Sequence, residues 1–280
     1  AVTLAPAVTR VTAGSNYVFA GPGALGGTGA LVKDGTGTLV IATTNLFSGG
    51  TTISNGTIQL GDATAAGTLG SGPVLNDAAL AFGQAETVTL ANPISGTGRL
   101  VQAGAGTTVL TATNSYAGGT AISAGTLQLG SGGLQGALGA GPVTNDGTLA
   151  FSHSDTIAFA NAIAGAGSVV KGGSGTLILT ATNTYSGLTT ISGGTLVAGD
   201  GATAGNLGTN AVVDQGTLAF QRSDLVTAPA LSGTGSLVQA GSGTLRVDRE
   251  IGLQGALAAS NGLLEIVAGG VITNAGRVVV

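Results

Sequence analysis

Cysteine, methionine and tryptophan are all missing from this chain of 280 residues. Without cysteine there are no disulfides and no thiolate metal sites. The absence also suits a chain that stays unfolded while crossing an oxidising compartment, since no thiol is present to cross-link. Charge is scarce: Asp, Glu, Lys and Arg make up 7% of the sequence, against about a quarter in an average domain. The eight Lys and Arg are scattered. No basic cluster exists to track phosphates, so nucleic acid is not an expected partner. No run of about 18 consecutive apolar residues occurs, so neither a membrane-spanning helix nor direct membrane insertion is expected. The stretch after Ala1 lacks the basic start of a signal peptide, which reads as a mature or excised piece of something longer.

What is present is glycine, 53 residues of it, and repetition. Segments opening at Gly27, Gly96, Gly165 and Gly233 read GTGALVKDGTGTLVI, GTGRLVQAGAGTTVL, GAGSVVKGGSGTLIL and GTGSLVQAGSGTLRV, at spacings of 69, 69 and 68 residues. Phe82, Phe151 and Phe220 keep the register, as do Asn45, Asn114 and Asn183, and Phe47, Tyr116 and Tyr185. Each unit holds three strand-turn-strand modules, so a coil of about 23 residues is expected, within the range of solenoid repeats. Alternation marks the strands: Leu39 and Ile41 share one face, as do Ile58 and Leu60, then Leu80 and Phe82. No helical period appears.

Because each module resembles the next, each strand finds its neighbour one coil later and only adjacent coils touch. The fold expected is therefore an all-β, right-handed, single-stranded parallel β-helix of about 12 coils, stacked about 4.8 Å apart. Its divisions are a partial repeat at 1–26, repeats at 27–95, 96–164 and 165–232, and a divergent, shortened repeat at 233–280, all in one continuous helix. In the last, GLQGAL at Gly252 echoes GLQGAL at Gly133. The module between has no counterpart there, so one coil is expected to be deleted. The closing VITNAGRVVV is expected to form one more strand-turn-strand module with an open edge.

The segment from Gly167 to Leu196, GSVVKGGSGTLILTATNTYSGLTTISGGTL, resembles the autotransporter-associated β-strand repeat, also called the passenger-associated transport repeat. The resemblance covers about half of each unit directly, and the internal period extends it. It implies a passenger segment of a type V secretion system, threaded through an outer-membrane barrel and folded outside the cell. It implies a cell-surface or secreted place, and a role as adhesin, self-association factor or stalk. The implied partners are the parent chain's translocator barrel, a host surface, and copies of the chain on neighbouring cells. No alternating transmembrane strands with aromatic girdles are present in this sequence.

Candidate chemistry is sparse. Asp77, Asp146 and Asp214 are read as one recurring turn position, too far apart along the solenoid to work as a carboxylate pair. Glu86, Asp155 and Asp224 are read as corner or solvated charges. The single histidine, His153, stands where other units have Gln84 and Arg222, which predicts an exposed loop. Asn45, Asn114 and Asn183 are read as corner residues that satisfy backbone groups. Phe47, Tyr116 and Tyr185 are expected to cover that corner, with sugar recognition by the tyrosines as the alternative. Threonines such as Thr87, Thr89, Thr111 and Thr113 look isolated, which argues against a threonine array. GGSGT at Gly172 lacks the Asp of calcium-binding β-rolls. No catalytic residue, metal site or cofactor is expected. The alternatives to an adhesive stalk are a polysaccharide-binding or polysaccharide-degrading β-helix, and a spacer whose repeats aid secretion.

Overall fold

A computed structural model describes residues 2–273 and 276–279. Among them there are only strands, turns and loops, and the strands pair in parallel. The chain is a β-solenoid of about 14 turns, close to the 12 expected. Its residues group into two compact units. One holds the chain up to Ser131 with Gln135–Thr148, the other Gly132–Leu134 with the chain from Leu149 onward. The turn expected at 274–275 in the closing module lies outside the described residues.

In the first unit, one sheet stacks Val8–Val11, Ala30–Lys33, Thr51–Ile53, Val74–Asn76 and Ile94–Ser95. A second runs from Tyr17–Phe19 through Thr38–Ile41, Thr57–Leu60, Ala79–Phe82, Arg99–Gln102 and Thr120–Ile122 to Val143–Asn145. A third stacks Thr87–Leu90, Thr107–Leu110 and Thr126–Leu129. In the second unit, one sheet carries Ser168–Gly172, Thr189–Ile191, Val212–Asp214, Leu231–Gly233, Glu250–Leu253 and Val271–Thr273. Another carries Thr156–Phe159, Thr176–Leu179, Thr195–Ala198, Thr217–Phe220, Ser236–Gln239, Ala256–Ala259 and Arg277–Val279. A third carries Leu225–Thr227, Thr244–Val247 and Leu263–Ile266.

Alternation decides which side chains enter the core. Leu39, Ile58, Leu80 and Leu100 stack in one column and are fully buried. Leu177, Leu196, Leu218, Leu237 and Leu257 do the same in the second unit. Each such leucine contributes about 1.5–3 kcal/mol of burial. Glycine is obligatory where one coil crosses close above another. A Cβ on Gly175 would lie 2.0 Å from the Asp155 carbonyl oxygen, and Gly194 has φ of +66° as well as the Gly175 carbonyl 2.3 Å from a Cβ.

The coil is shorter than the repeat's three modules predict. Leu31, Thr51, Val74 and Ile94 form one column, so three turns run from residue 31 to residue 94. The repeat-2 equivalent of Leu31 is Leu100, six residues further on. Those residues carry the chain past one more face. Accordingly Arg99–Gln102 lies in the sheet of Thr38–Ile41, not in that of its counterpart Ala30–Lys33. The second unit repeats the shift: Ser236–Gln239 joins the sheet of Thr176–Leu179, not that of Ser168–Gly172. A unit therefore makes three turns and about a third, with strands such as Thr87–Leu90 and Leu225–Thr227 supplying the extra face.

The fourth repeat also departs from expectation. Glu250–Leu253 and Ala256–Ala259 form a complete strand-turn-strand module directly after Thr244–Val247. What is missing is the T-N-x-Y segment between them, not the module. The GLQGAL echo is not structural: Leu253 is a fully buried strand residue, whereas Leu134 is 70% exposed in a loop.

Candidate functional site

The recurring polar residues fall into an inner set that holds corners and an outer set that faces solvent. Lys33, Gln102, Lys171 and Gln239 occupy one repeat position and are almost wholly buried. Each caps the carbonyls of a glycine-rich corner. The Lys171 ammonium donates to the carbonyls of Gly172, Gly173 and Gly193 at 2.5, 3.0 and 3.2 Å. Lys33 donates to the carbonyls of Gly35 and Asn55. Gln102 donates to Gly104 and Gly106 at 2.9 and 3.2 Å and accepts from the Thr108 hydroxyl at 2.7 Å. Gln239 donates to Gly241 and Gly243 at 2.9 and 3.0 Å. Burial pushes the Lys33 and Lys171 ammonium groups below the ordinary lysine range.

Asn45, Asn114 and Asn183 satisfy corner backbone groups, as expected, and do so across three coils. Asn183 accepts from the Ile163 amide at 2.9 Å and donates to the carbonyls of Ala181 and Asn206 at 3.1 and 2.7 Å. Asn114 makes the same set with Ile94, Ala112 and Ala137, and Asn45 with Leu25, Thr43 and Thr68. Phe47, Tyr116 and Tyr185 are core residues beside them. Tyr116 and Tyr185 are fully buried and pair with the hydroxyls of Thr120 and Thr189, each at 2.7 Å. Burial pushes the Tyr116 phenol up to about 12 and raises that of Tyr185. Neither tyrosine can meet a sugar from solvent.

His153 is 2% exposed, not on an exposed loop, and its counterpart Gln84 is buried too. The position varies in residue type while facing inward, which a sequence comparison takes for a surface. Asp214 is not the counterpart of Asp77 and Asp146. Ile53 pairs with Asn76, Ile122 with Asn145 and Ile191 with Asp214, so Asp214 replaces a buried asparagine. Asp77 is exposed and accepts from the Thr97 amide and hydroxyl at 3.0 and 3.2 Å, tying one coil to the next. Among the corner charges, Asp224 pairs with Arg222 at 2.6 Å, which holds its carboxyl below the usual range. Among the described residues no group of three or more His, Asp and Glu gathers to hold a metal ion.

The outer set contains a ladder that the sequence reading overlooked. Thr156, Thr176, Thr195, Thr217 and Ser236 stand in register on one face of the second unit. Beside them in register run Ala158, Ile178, Val197, Ala219 and Val238, of which Val197 and Ala219 are buried. Rungs lie about 4.8 Å apart, and none of these ten positions carries a charge. The hydroxyls of Thr176, Thr195 and Thr217 make no hydrogen bond within the described residues and are left to solvent. Thr87, which looked isolated, belongs to a shorter ladder with Thr107 and Thr126 in the first unit. The signal was the Gly-Thr dipeptide recurring at Gly175, Gly194 and Gly216.

The Passenger-associated-transport-repeat family model matches residues 31–60, 100–129 and 169–198, which span the Lys/Gln corner caps and the Asn corners of repeats 1 to 3. Over 180 residues the chain is 33% identical to the Adhesin BmaC autotransporter of Brucella suis biovar 1 (strain 1330). That stretch covers 57% of this chain and 5% of the adhesin, so the chain spans a small fraction of the length of its relative. No solved structure matches the chain significantly. The chain thus carries three passenger-associated transport repeats in a parallel β-solenoid, and these, with the similarity to an autotransporter adhesin, support an autotransporter passenger segment with its place at the cell surface or in the secreted fraction.

Proposed function

We propose that the chain is a non-catalytic adhesive stalk that acts through its lateral surface and associates with copies of itself on neighbouring cells. The observation that carries this reading is the uncharged threonine ladder from Thr156 to Ser236. A hydroxyl both donates and accepts, so the ladder is complementary to itself. Two copies share the same rung spacing, which lets any number of rungs match, and no charge repels them. The face is small against the roughly 800 Å² per partner of a standard interface. Contact therefore gains strength only where many stalks meet at once. The adhesin relative supports an adhesive role, and the buried tyrosines, the corner-bound carboxylates and the inward His153 leave little for catalysis.

Beads displaying the chain densely should clump with one another. A Thr176→Lys, Thr195→Lys, Thr217→Lys variant should lose clumping at least tenfold, while Thr190→Lys on another sheet should clump as the parent does. Clumping that survives the triple change would remove the ladder from the mechanism. If parent beads neither clump nor bind host-cell surfaces, the adhesive reading fails and a spacer role replaces it.

A further inference from the structure

A cleft in the second unit has no counterpart plug. In repeat 1, Asn92 is 8% exposed and its amide donates to the carbonyls of Gly70 and Gly72, both at 2.6 Å. It thereby seals the joint between that loop and the coil that follows. The backbone bond from Val74 to Pro93 recurs as Val212 to Ala230, so Pro229 stands in repeat 3 where Asn92 stands in repeat 1. Gly208 and Asn210 correspond to Gly70 and Gly72, since Ser71 bonds Phe47 as Thr209 bonds Tyr185. A proline side chain has no donor. The carbonyls of Gly208 and Asn210 receive no amide from it, and a cavity of about 270 Å³ lined by Gly208 and Pro229 opens there.

The floor of the cleft is apolar, with Leu207, Phe220 and Ala228. Thr209, Thr227 and Arg249 line it with polar groups. Arg249 uses its Nε on Asp248 at 2.9 Å, while its two terminal nitrogens make no hydrogen bond within the described residues. The chemistry that fits is a ring with one apolar face, hydroxyls that donate to carbonyls and threonines, and an anionic group for the guanidinium fork. The volume is that of one sugar ring, below the roughly 300 Å³ at which drug-sized pockets begin. A cationic ligand would meet Arg249. A phosphate chain would find a single arginine and no further cation lining the cleft.

We infer that this cleft is a hexuronate-binding site confined to the third repeat, opened by the exchange of an asparagine plug for Pro229. It extends the adhesive reading by naming a glycan ligand, and it rests on that reading only for its biological use. Saturation-transfer NMR and calorimetry on the whole chain would use three probes: galacturonate oligomers, oligomers alternating hexuronate with N-acetylhexosamine, and neutral dextran. Binding of either uronate and not of dextran is expected, and the stronger uronate tells a plant-type or microbial polymer from an animal matrix one. Pro229→Asn should close the cleft and weaken uronate binding at least tenfold, as should Arg249→Gln. Should Pro229→Asn fold poorly, Thr227→Trp, an exposed position, blocks the mouth instead. The proposal is overturned by parent chain that binds no uronate, by equal binding to dextran, or by folded cleft variants that bind as the parent does. Bead clumping measured on the same samples separates the two ideas: lost uronate binding with clumping intact leaves the stalk reading standing.

Discussion

Asp214 occupies in the third repeat the buried corner that Asn76 holds in the first. Asn76 donates its amide to the Arg99 carbonyl at 2.9 Å. Asp214 accepts from the Gly216 amide at 2.9 Å, and its second oxygen has no partner among the described residues. Desolvation raises the Asp214 carboxyl above the ordinary carboxylate range, outweighing the amides of Gly216 and Leu218. Asp214→Asn should therefore stabilise the chain at neutral pH, by about 1–3 kcal/mol. The sign with pH follows. Below the unfolded carboxyl's value, about 4, both states are protonated and nothing is lost. As pH rises from about 4 toward the raised folded value, the unfolded chain has released a proton that the folded chain still retains, so stability falls, and the loss is complete once the folded carboxyl ionises as well. Denaturant midpoints across pH should show this fall in the parent and its absence in the asparagine variant.

Lys171 and Gln102 do the same work with different charge, and their exchange tests it. Lys171→Gln keeps a donor for the corner carbonyls and removes a buried ammonium, so stability at pH 7 should hold or rise by about 1 kcal/mol. Lys171→Met removes the donor and should cost about 2–3 kcal/mol. Because the folded value is depressed, the parent recovers stability as pH rises toward the unfolded lysine value, near 10.4. The advantage of the glutamine variant should shrink over that range in thermal melts.

Asn183 bonds groups on three successive coils, so Asn183→Ala leaves the Ile163 amide and the carbonyls of Ala181 and Asn206 without partners. A loss of about 3 kcal/mol is expected. In a stacked fold the damage should stay local. Hydrogen exchange should quicken at the neighbouring coils and remain near parental at Leu31 or Leu39.

Repeat 1 shows that Tyr185 can lose its hydroxyl, since Phe47 fills the same place. Tyr185→Phe should cost about 1 kcal/mol, the worth of the bond to Thr189. Tyr185→Ala should cost about 3–5 kcal/mol through the cavity it leaves. Unfolding curves of the two variants separate the hydroxyl from the ring.

The strands, their parallel stacking and the inward columns were legible because alternation and self-similarity are both local signals. Leu39 and Ile58 point inward for the reason their sequence states. The coil length was not legible. The extra face is supplied by short strands such as Thr87–Leu90 and Ile94–Ser95, whose sequences do not resemble the modules they extend. Context also overrode identity in GLQGAL, buried at Leu253 and solvent-facing at Leu134. Registers across coils were beyond the linear sequence as well. Thr176, Thr195 and Thr217 look scattered along the chain, and only pairing at offsets of 19 and 22 residues lines them up. The same blindness aligned Asp214 with Asp146, one residue out of step with the buried position it fills.

Because a unit ends about a third of a revolution beyond where it began, gene duplication in such a protein does more than lengthen it. Adding or losing one repeat would move the equivalent strands of the next repeat to a neighbouring face, and a change of three would return them to the face they left. A change in repeat number would thus change which side of the coil carries each ladder.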